Sequence, residues 1–153
     1  MNSKVLFVFV VFALVAGVAG CEPPEPEPFD CALAWVDDMG EIQALEAGQD
    51  VPMVYGFQGF LLFEVVATSP GPPDEVEVDM RITVDAGEAY GWEVPRVGFE
   101  AHGSWVWVSE ILQVFLDEAA GPESYVGSEA EVVMRLEGEN RFCVPQTHVV
   151  LVE

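Results

Sequence analysis

Residues 76–84 alternate strictly between apolar and polar side chains. The apolar positions are Val76, Val78, Met80, Ile82 and Val84, and acidic, basic or hydroxyl side chains separate them. A period of two places the apolar set on one face of a strand and the polar set on the other. This pattern is typical of an antiparallel sheet with one face on a core and one in water. A lone strand of this kind is unstable, so the sequence predicts a layered sheet structure.

Further short strands are predicted on both sides of this segment. Alternating or apolar runs cover residues 51–55, 60–67, 131–137 and 146–153, and turn-forming residues stand at 69–74, 85–87 and 138–140. Strands separated by turn signals every 8–12 residues favour an all-β sandwich. The predicted fold is an immunoglobulin- or fibronectin-like β-sandwich of about seven antiparallel strands.

One segment is consistent with two structures. Val108, Ile111, Leu112 and Phe115 have the i, i+3, i+4, i+7 spacing of a helix, while residues 105–108 resemble a strand. We favour two strands joined by a short turn near Ser109 and Glu110, with a crossing helix as the alternative.

The N-terminus resembles the signal of a bacterial lipoprotein. Lys4 precedes an apolar run at 5–18, which is shorter than the ~20 residues that a spanning helix needs. The run ends in Val18-Ala19-Gly20-Cys21, a tetrad that resembles a lipobox. The resemblance implies removal of residues 1–20 and lipidation of Cys21. The alternatives are an ordinary signal peptide and a transmembrane anchor.

A tether is predicted after Cys21. Residues 22–28 contain four prolines and three glutamates, a composition that favours an extended polyproline II segment of about 3.1 Å per residue. We therefore predict a lipidated tether at 21–30 and one domain at 31–153. Among lipoproteins of enteric bacteria, Asp directly after the lipidated cysteine favours the inner membrane, and Glu22 here favours the outer membrane.

The cysteine count suggests one disulfide. If Cys21 is acylated, Cys31 and Cys143 remain, and an oxidising compartment favours their pairing. The alternative is two free buried thiols. A bridge would join the start of the domain to its last hairpin.

The charge excludes nucleic-acid binding. The chain has 27 acidic residues against five lysines and arginines, a net charge of −22. Loss of residues 1–20 would remove only Lys4 and leave a net charge of −23. Such a surface repels phosphate backbones and anionic lipid, so membrane association is expected through the lipid anchor. High solubility is the favoured explanation of the acidity.

A short motif carries a second resemblance. Gly56-Phe57-Gln58-Gly59 lies between two predicted strands. It resembles a Gly-x-Gln-Gly turn in uncharacterised β-sandwich lipoproteins of myxobacterial type, a group that implies no known activity. The glycines permit positive φ, and Gln58 is either a turn residue, which we favour, or a ligand contact.

Aromatic side chains form another candidate binding site. Trp92, Trp105 and Trp107 lie in the middle of the domain with acidic residues nearby. Exposed tryptophans beside carboxylates would stack on sugar rings, whereas buried ones would fill the core. We favour core packing and keep carbohydrate binding as the alternative.

Metal sites and catalysis have weaker support. Asp37, Asp38, Glu41, Asp74 and Glu75 offer oxygen ligands but lack the spacing of known calcium loops. His102 and His148 are expected to be surface or strand residues, and no nucleophile motif is present. We predict no catalytic residue, no metal and no cofactor.

Three functions are therefore considered. The favoured one is a non-catalytic structural or interaction module of the cell envelope that meets an unknown protein or glycan partner. A carbohydrate-binding module is the alternative. An enzyme is the third, and it would require a concave site that holds His102 beside a carboxylate, which we do not expect.

Overall fold

The computed structural model describes residues 24–153 apart from 38, 56–60, 86–88 and 117–121, and it does not describe the side chains at 89, 90, 92 and 122. In this part of the chain nearly all regular structure is β, with a 3₁₀ turn at Pro122–Ser124. The strands are β1 Glu27–Pro28, β2 Ala32–Val36, β3 Ile42–Ala44, β4 Gln49–Pro52, β5 Val54–Tyr55, β6 Leu61–Ser69, β7 Glu75–Val84, β8 Ala89–His102, β9 Val106–Ser109, β10 Leu112–Phe115, β11 Glu129–Gly138, β12 Arg141–Cys143 and β13 Gln146–Val152.

The described strands form one continuous hydrogen-bonded sheet. Its main path runs β1-β12-β11-β7-β8-β9-β6-β2-β3, with β10 and β5 beside β6, β13 beside β11, and β4 beside β13. Most neighbours are antiparallel, while β1 pairs with β12 and β4 pairs with β13 in parallel. The all-β prediction is confirmed, but an immunoglobulin-like sandwich of about seven strands is not, because thirteen strands share one curled sheet.

Strand β8 joins the two halves of this sheet. Its first part pairs with β7 as far as Gly98, and its last four residues pair with β9. An irregularity opposite Glu77 places Pro95 and Arg96 against that single residue. Proline has no N–H to give to a ladder, and bulges are among the few places where a sheet accommodates it. The extra residue also increases the local twist, which helps the sheet to curl.

The core lies inside the curl. The alternating residues of β7 face it as predicted, since Val76, Val78, Met80 and Ile82 are all buried. Their cross-strand partners in β11 include Val132, Met134 and Leu136, which are also buried. Side chains of β6 and β10 cover this layer from the opposite side, namely Leu61, Phe63, Val65, Ala67, Leu112 and Val114.

The segment with two possible structures forms strands. β9 and β10 both run along β6, and they are separated at Glu110 and Ile111. The register changes by one residue between them, which is the signature of a bulge. The favoured prediction of two strands is confirmed. The helix-like spacing of apolar residues at 108–115 arises because the bulge shifts the alternation of apolar and polar side chains by one residue.

The predicted turn at 138–140 is confirmed in detail. Glu139 and Asn140 have φ values of 51° and 60°, as a tight hairpin turn between twisted strands requires. A Cβ at Gly138 would overlap the backbone carbonyl oxygen of Glu75. Only glycine permits β11 and the start of β7 to approach so closely at this end of the sheet.

Candidate functional site

The most exposed aromatic surface is the hairpin between β8 and β9. We call residues 99–109 the tryptophan hairpin. Trp105 is 84% exposed and Trp107 is 42% exposed, and Val106 between them is 40% exposed. The preference for core packing of Trp105 and Trp107 is therefore wrong. Strand β6 ends at Ser69, opposite Trp107, so among the described strands none besides β8 and β9 pairs with residues 102–106.

A buried serine fixes the base of the tryptophan hairpin. The Ser109 hydroxyl accepts a hydrogen bond of 2.9 Å from the backbone N–H of Ala67 and donates one of 2.8 Å to the carbonyl of Glu110. The backbone register shifts at the bulge between β9 and β10. There the Ser109 hydroxyl, in place of a backbone carbonyl, accepts the hydrogen bond from the Ala67 N–H. A buried N–H left unpaired costs about 1–3 kcal/mol, so Ser109 holds the hairpin firmly on β6.

An open groove of about 600 Å³ lies next to the tryptophan hairpin. It is lined by Ile42, residues 98–102 and residues 108–110, which bring Glu100, His102 and Glu110 to its wall. A concave site that holds His102 with a carboxylate was not expected, and this groove places His102 on the same lining as Glu100 and Glu110. All three side chains are exposed to solvent.

The chain enters the domain beside the tryptophan hairpin. The N–H of Glu27 donates to the carbonyl of Asn140 at 2.9 Å, and the Arg141 guanidinium lies 5.1 Å from the ring centre of Phe29. The Ser69 hydroxyl then donates a hydrogen bond of 2.7 Å to the carbonyl of Asp30. Strand pairing therefore begins before Cys31. The entering segment, residues 27–30, leads to the side of β6 that faces away from the tryptophan hairpin.

A disulfide closes the same region. Cys31 and Cys143 are bonded, with Cα atoms 6.2 Å apart and 112 positions between them in sequence. The predicted pair is confirmed, and it joins the start of β2 to the end of β12. A structural disulfide indicates folding in an oxidising compartment, as for an exported protein.

The acidic turn considered for calcium is closed by its own hydrogen bonds. Asp37 accepts 2.9 Å and 2.8 Å bonds from the N–H groups of Met39 and Glu41, and Gln43 donates to its second oxygen at 3.0 Å. The bond from Glu41, followed by that from Gln43, lowers the pKa of the Asp37 carboxyl. Asp38 lies outside the described residues. Across the described part of the chain, no cluster of three or more His, Cys, Asp or Glu side chains is arranged to hold a metal ion.

Acidic side chains also face one another on the outer side of β11, β7 and β8. Asp79 lies opposite Glu93 on one side and Arg135 on the other, and Arg135 forms an ion pair with Glu137. These residues line a second depression of about 470 Å³.

The remaining predicted residues are dispersed. His148 stands opposite Glu131, with Nε2 3.8 Å from the carboxylate, on an exposed face of the sheet. This position confirms it as a strand residue at the surface. Gln58 and the side chain of Trp92 lie outside the described residues. So do the apolar run at 5–18 and Cys21, and no helix among the described residues is long and apolar enough to cross a bilayer.

The chain has little similarity to known proteins. No protein-family model matches it, and no curated protein matches it. Among solved structures, the CooA pilin subunit from enterotoxigenic Escherichia coli is similar over 80% of this chain and 98% of that one, with 16% sequence identity and a TM-score of 0.37.

Proposed function

We propose that this chain is an exported, lipid-tethered protein of the cell envelope that acts by binding and not by catalysis. Its contact surface is the tryptophan hairpin. The observation that carries this proposal is the exposure of Trp105 and Trp107 at the end of the domain where the chain enters. Isolated exposed apolar residues are common, but two exposed tryptophans on one hairpin are typical of a contact surface.

The anchor is proposed from the lipobox resemblance together with the cysteine pairing. Because Cys31 and Cys143 are joined to each other, neither of them is available as a partner for Cys21. Lipidation at Cys21 gives that cysteine a role and makes residues 22–26 a spacer. The outer membrane is the favoured location.

The anchor is tested by Cys21→Ser. The wild-type chain should begin at Cys21 and carry acyl groups by mass spectrometry, whereas the variant should keep residues 1–20 without added lipid. Ser104→Ala, a change at an exposed loop residue, serves as the control and should be processed normally. An unchanged mass and membrane fraction for Cys21→Ser would refute lipidation.

The contact surface is tested by cross-linking in intact envelopes followed by pull-down. We expect Trp105→Ala/Trp107→Ala to lose partners that the wild type captures. Tyr55 is 65% exposed and lies in β5, opposite the first residue of β6, far along the sheet from the hairpin. Tyr55→Ala is therefore the matched control, and equal loss in both variants would argue against the hairpin.

Carbohydrate binding is the second candidate function. The groove beside the tryptophan hairpin presents Glu100 and Glu110, and sugar sites combine aromatic platforms with carboxylate acceptors. Titration with envelope oligosaccharides, followed by tryptophan emission, tests it. A saturable change in the wild type, together with loss of binding heat by calorimetry in Trp105→Ala/Trp107→Ala, would support this function.

A further inference from the structure

We infer that the tryptophan hairpin is a second membrane contact, which inserts Trp105 and Trp107 into the interface of the bilayer that holds the lipid anchor. This inference rests on the proposed function, because it names the partner of the hairpin as a zwitterionic lipid surface. It follows from where the hairpin stands relative to the entering chain.

The tryptophan hairpin and the entering chain share one end of the domain. Trp107 pairs with Ser69 across one strand spacing, about 5 Å. The Ser69 hydroxyl bonds to the carbonyl of Asp30. Glu27, three positions earlier, bonds to Asn140 in the turn that follows Gly138, and Gly138 packs against Glu75. A tether that leaves from Glu27 therefore starts at the end of the sheet from which the hairpin extends.

The tether is short on the scale of the domain. Five residues lie between Cys21 and Glu27, and the six residue steps would span roughly 19 Å in the extended polyproline conformation predicted from the sequence. The end of the domain that carries Asp30 and Trp107 is thus kept close to the headgroups. The opposite end, with Tyr55 and the start of β6, lies a full strand length farther away.

The exposed side chains suit a bilayer interface. Tryptophan is enriched at the headgroup level because its ring is apolar and its N–H is polar. Trp105 and Val106 lie at the tip of the hairpin, beyond the last residue of β6. An interfacial contact adds to the affinity of an acyl anchor and fixes the orientation of the domain.

Charge restricts the lipid. The acidic residues Glu27, Asp30, Asp74 and Glu139 outnumber the one described base, Arg141, at this end, so an anionic surface would repel it. Zwitterionic headgroups carry no net charge and allow the tryptophans to approach. We therefore specify a zwitterionic surface as the partner.

The test uses the lipidated full-length product in phosphatidylcholine vesicles, with and without bromine on the acyl chains. Bromine quenches tryptophan emission at short range. We expect wild-type emission to fall in brominated vesicles, and we expect most of that loss to disappear in Trp105→Phe/Trp107→Phe, where Trp35 and Trp92 still emit. Tyr55→Ser should be quenched like the wild type, and circular dichroism verifies the fold of each variant.

Three results would overturn the inference. One is wild-type emission that is equal in brominated and plain vesicles. Another is equal quenching of the wild type and the phenylalanine variant, which would place the loss at Trp35 or Trp92. The third is absence of bromine quenching together with a response to oligosaccharide, which would assign the hairpin to a glycan.

Failure of the anchor gives a different result. A chain without acyl mass that stays in the supernatant when vesicles are sedimented would contradict the proposed function. A chain that sediments but shows no quenching would contradict only the membrane contact of the tryptophan hairpin.

Discussion

The hydroxyl of Ser69 donates a hydrogen bond of 2.7 Å to the backbone carbonyl of Asp30. Ser69 is the last residue of β6 and is nearly fully buried, whereas Asp30 belongs to the segment that enters the domain. The same hydroxyl accepts the N–H of Gly71 at 3.2 Å. One side chain thus connects the entering chain to the β6–β7 turn, at the residue whose backbone pairs with Trp107.

Ser69→Ala should lower the free energy of unfolding by about 1 kcal/mol, the usual net value of an intramolecular hydrogen bond. It should also speed amide exchange at Gly71, which loses its acceptor. Chemical denaturation and hydrogen exchange measure the two effects. Ser104→Ala, at an exposed loop position, is the control and should leave both unchanged. Unaltered exchange at Gly71 would show that the hydroxyl does not hold this turn.

The Cys31–Cys143 disulfide should make a large contribution to stability. It restricts an unfolded loop of more than 100 residues, for which chain entropy gives about 4–5 kcal/mol. Reductant should therefore lower the melting temperature clearly. Reductant should have no effect on Cys31→Ser/Cys143→Ser, which isolates the bond from other actions of the reagent. Equal melting of the wild type with and without reductant would contradict this assignment.

The regular strands were predictable from local pattern. Residues 76–84 and 131–137 alternate between apolar and charged side chains because one face is buried, and the structure pairs them as β7 and β11. Strand β8 was not predictable in the same way. Gly91, Pro95 and Gly98 interrupt its sequence, and its bulge at Pro95 disturbs the alternation.

The exposure of the tryptophans depends on distant residues. Residues 105–108 resemble any apolar strand, and burial is the ordinary fate of tryptophan. Trp105 and Trp107 are exposed because β6 stops at Ser69 and β8 continues past Gly98. Neither strand end leaves a signal near the tryptophans themselves. The disulfide, by contrast, followed from counting cysteines, since only one pair remained after Cys21 was assigned to lipid.

Like charges on the outer face should cost stability at low salt. Glu93 in β8 lies directly opposite Asp79, and directly opposed like charges destabilise a sheet by a few tenths to about 1 kcal/mol. Glu93→Gln should therefore raise the free energy of unfolding at low ionic strength. The gain should shrink in 1 M salt, where the Debye length is about 3 Å.

The control for this effect is Glu46→Gln, since Glu46 lies in the loop between β3 and β4 without a cross-strand acid. It should give a smaller gain than Glu93→Gln under the same conditions. Equal gains in both variants would assign the effect to total charge and not to the Asp79–Glu93 pair.

Protonation of Asp37 should loosen the turn between β2 and β3. Hydrogen bonds from Glu41, Gln43 and Met39 favour its charged form and lower its pKa from the ordinary value of 3.8. A carboxyl whose pKa is lower in the folded state contributes stability that is fully present above pH 3.8. That contribution is lost as the pH falls through the folded-state pKa. The midpoint of the Asp37 carboxyl in an NMR titration should therefore lie below 3.8.

The amide signals of Met39 and Glu41 should move with the same midpoint, because their N–H groups bond to the titrating carboxylate. Asp37→Asn keeps one acceptor oxygen for both amides but cannot accept from Gln43. In this variant the two amide signals should no longer titrate in that range. Lowering the pH should also no longer open the turn, so amide exchange at the start of β3 should not be accelerated by acid as it is in the wild type. A carboxyl midpoint at or above 3.8 in the wild type would contradict the hydrogen-bonded turn.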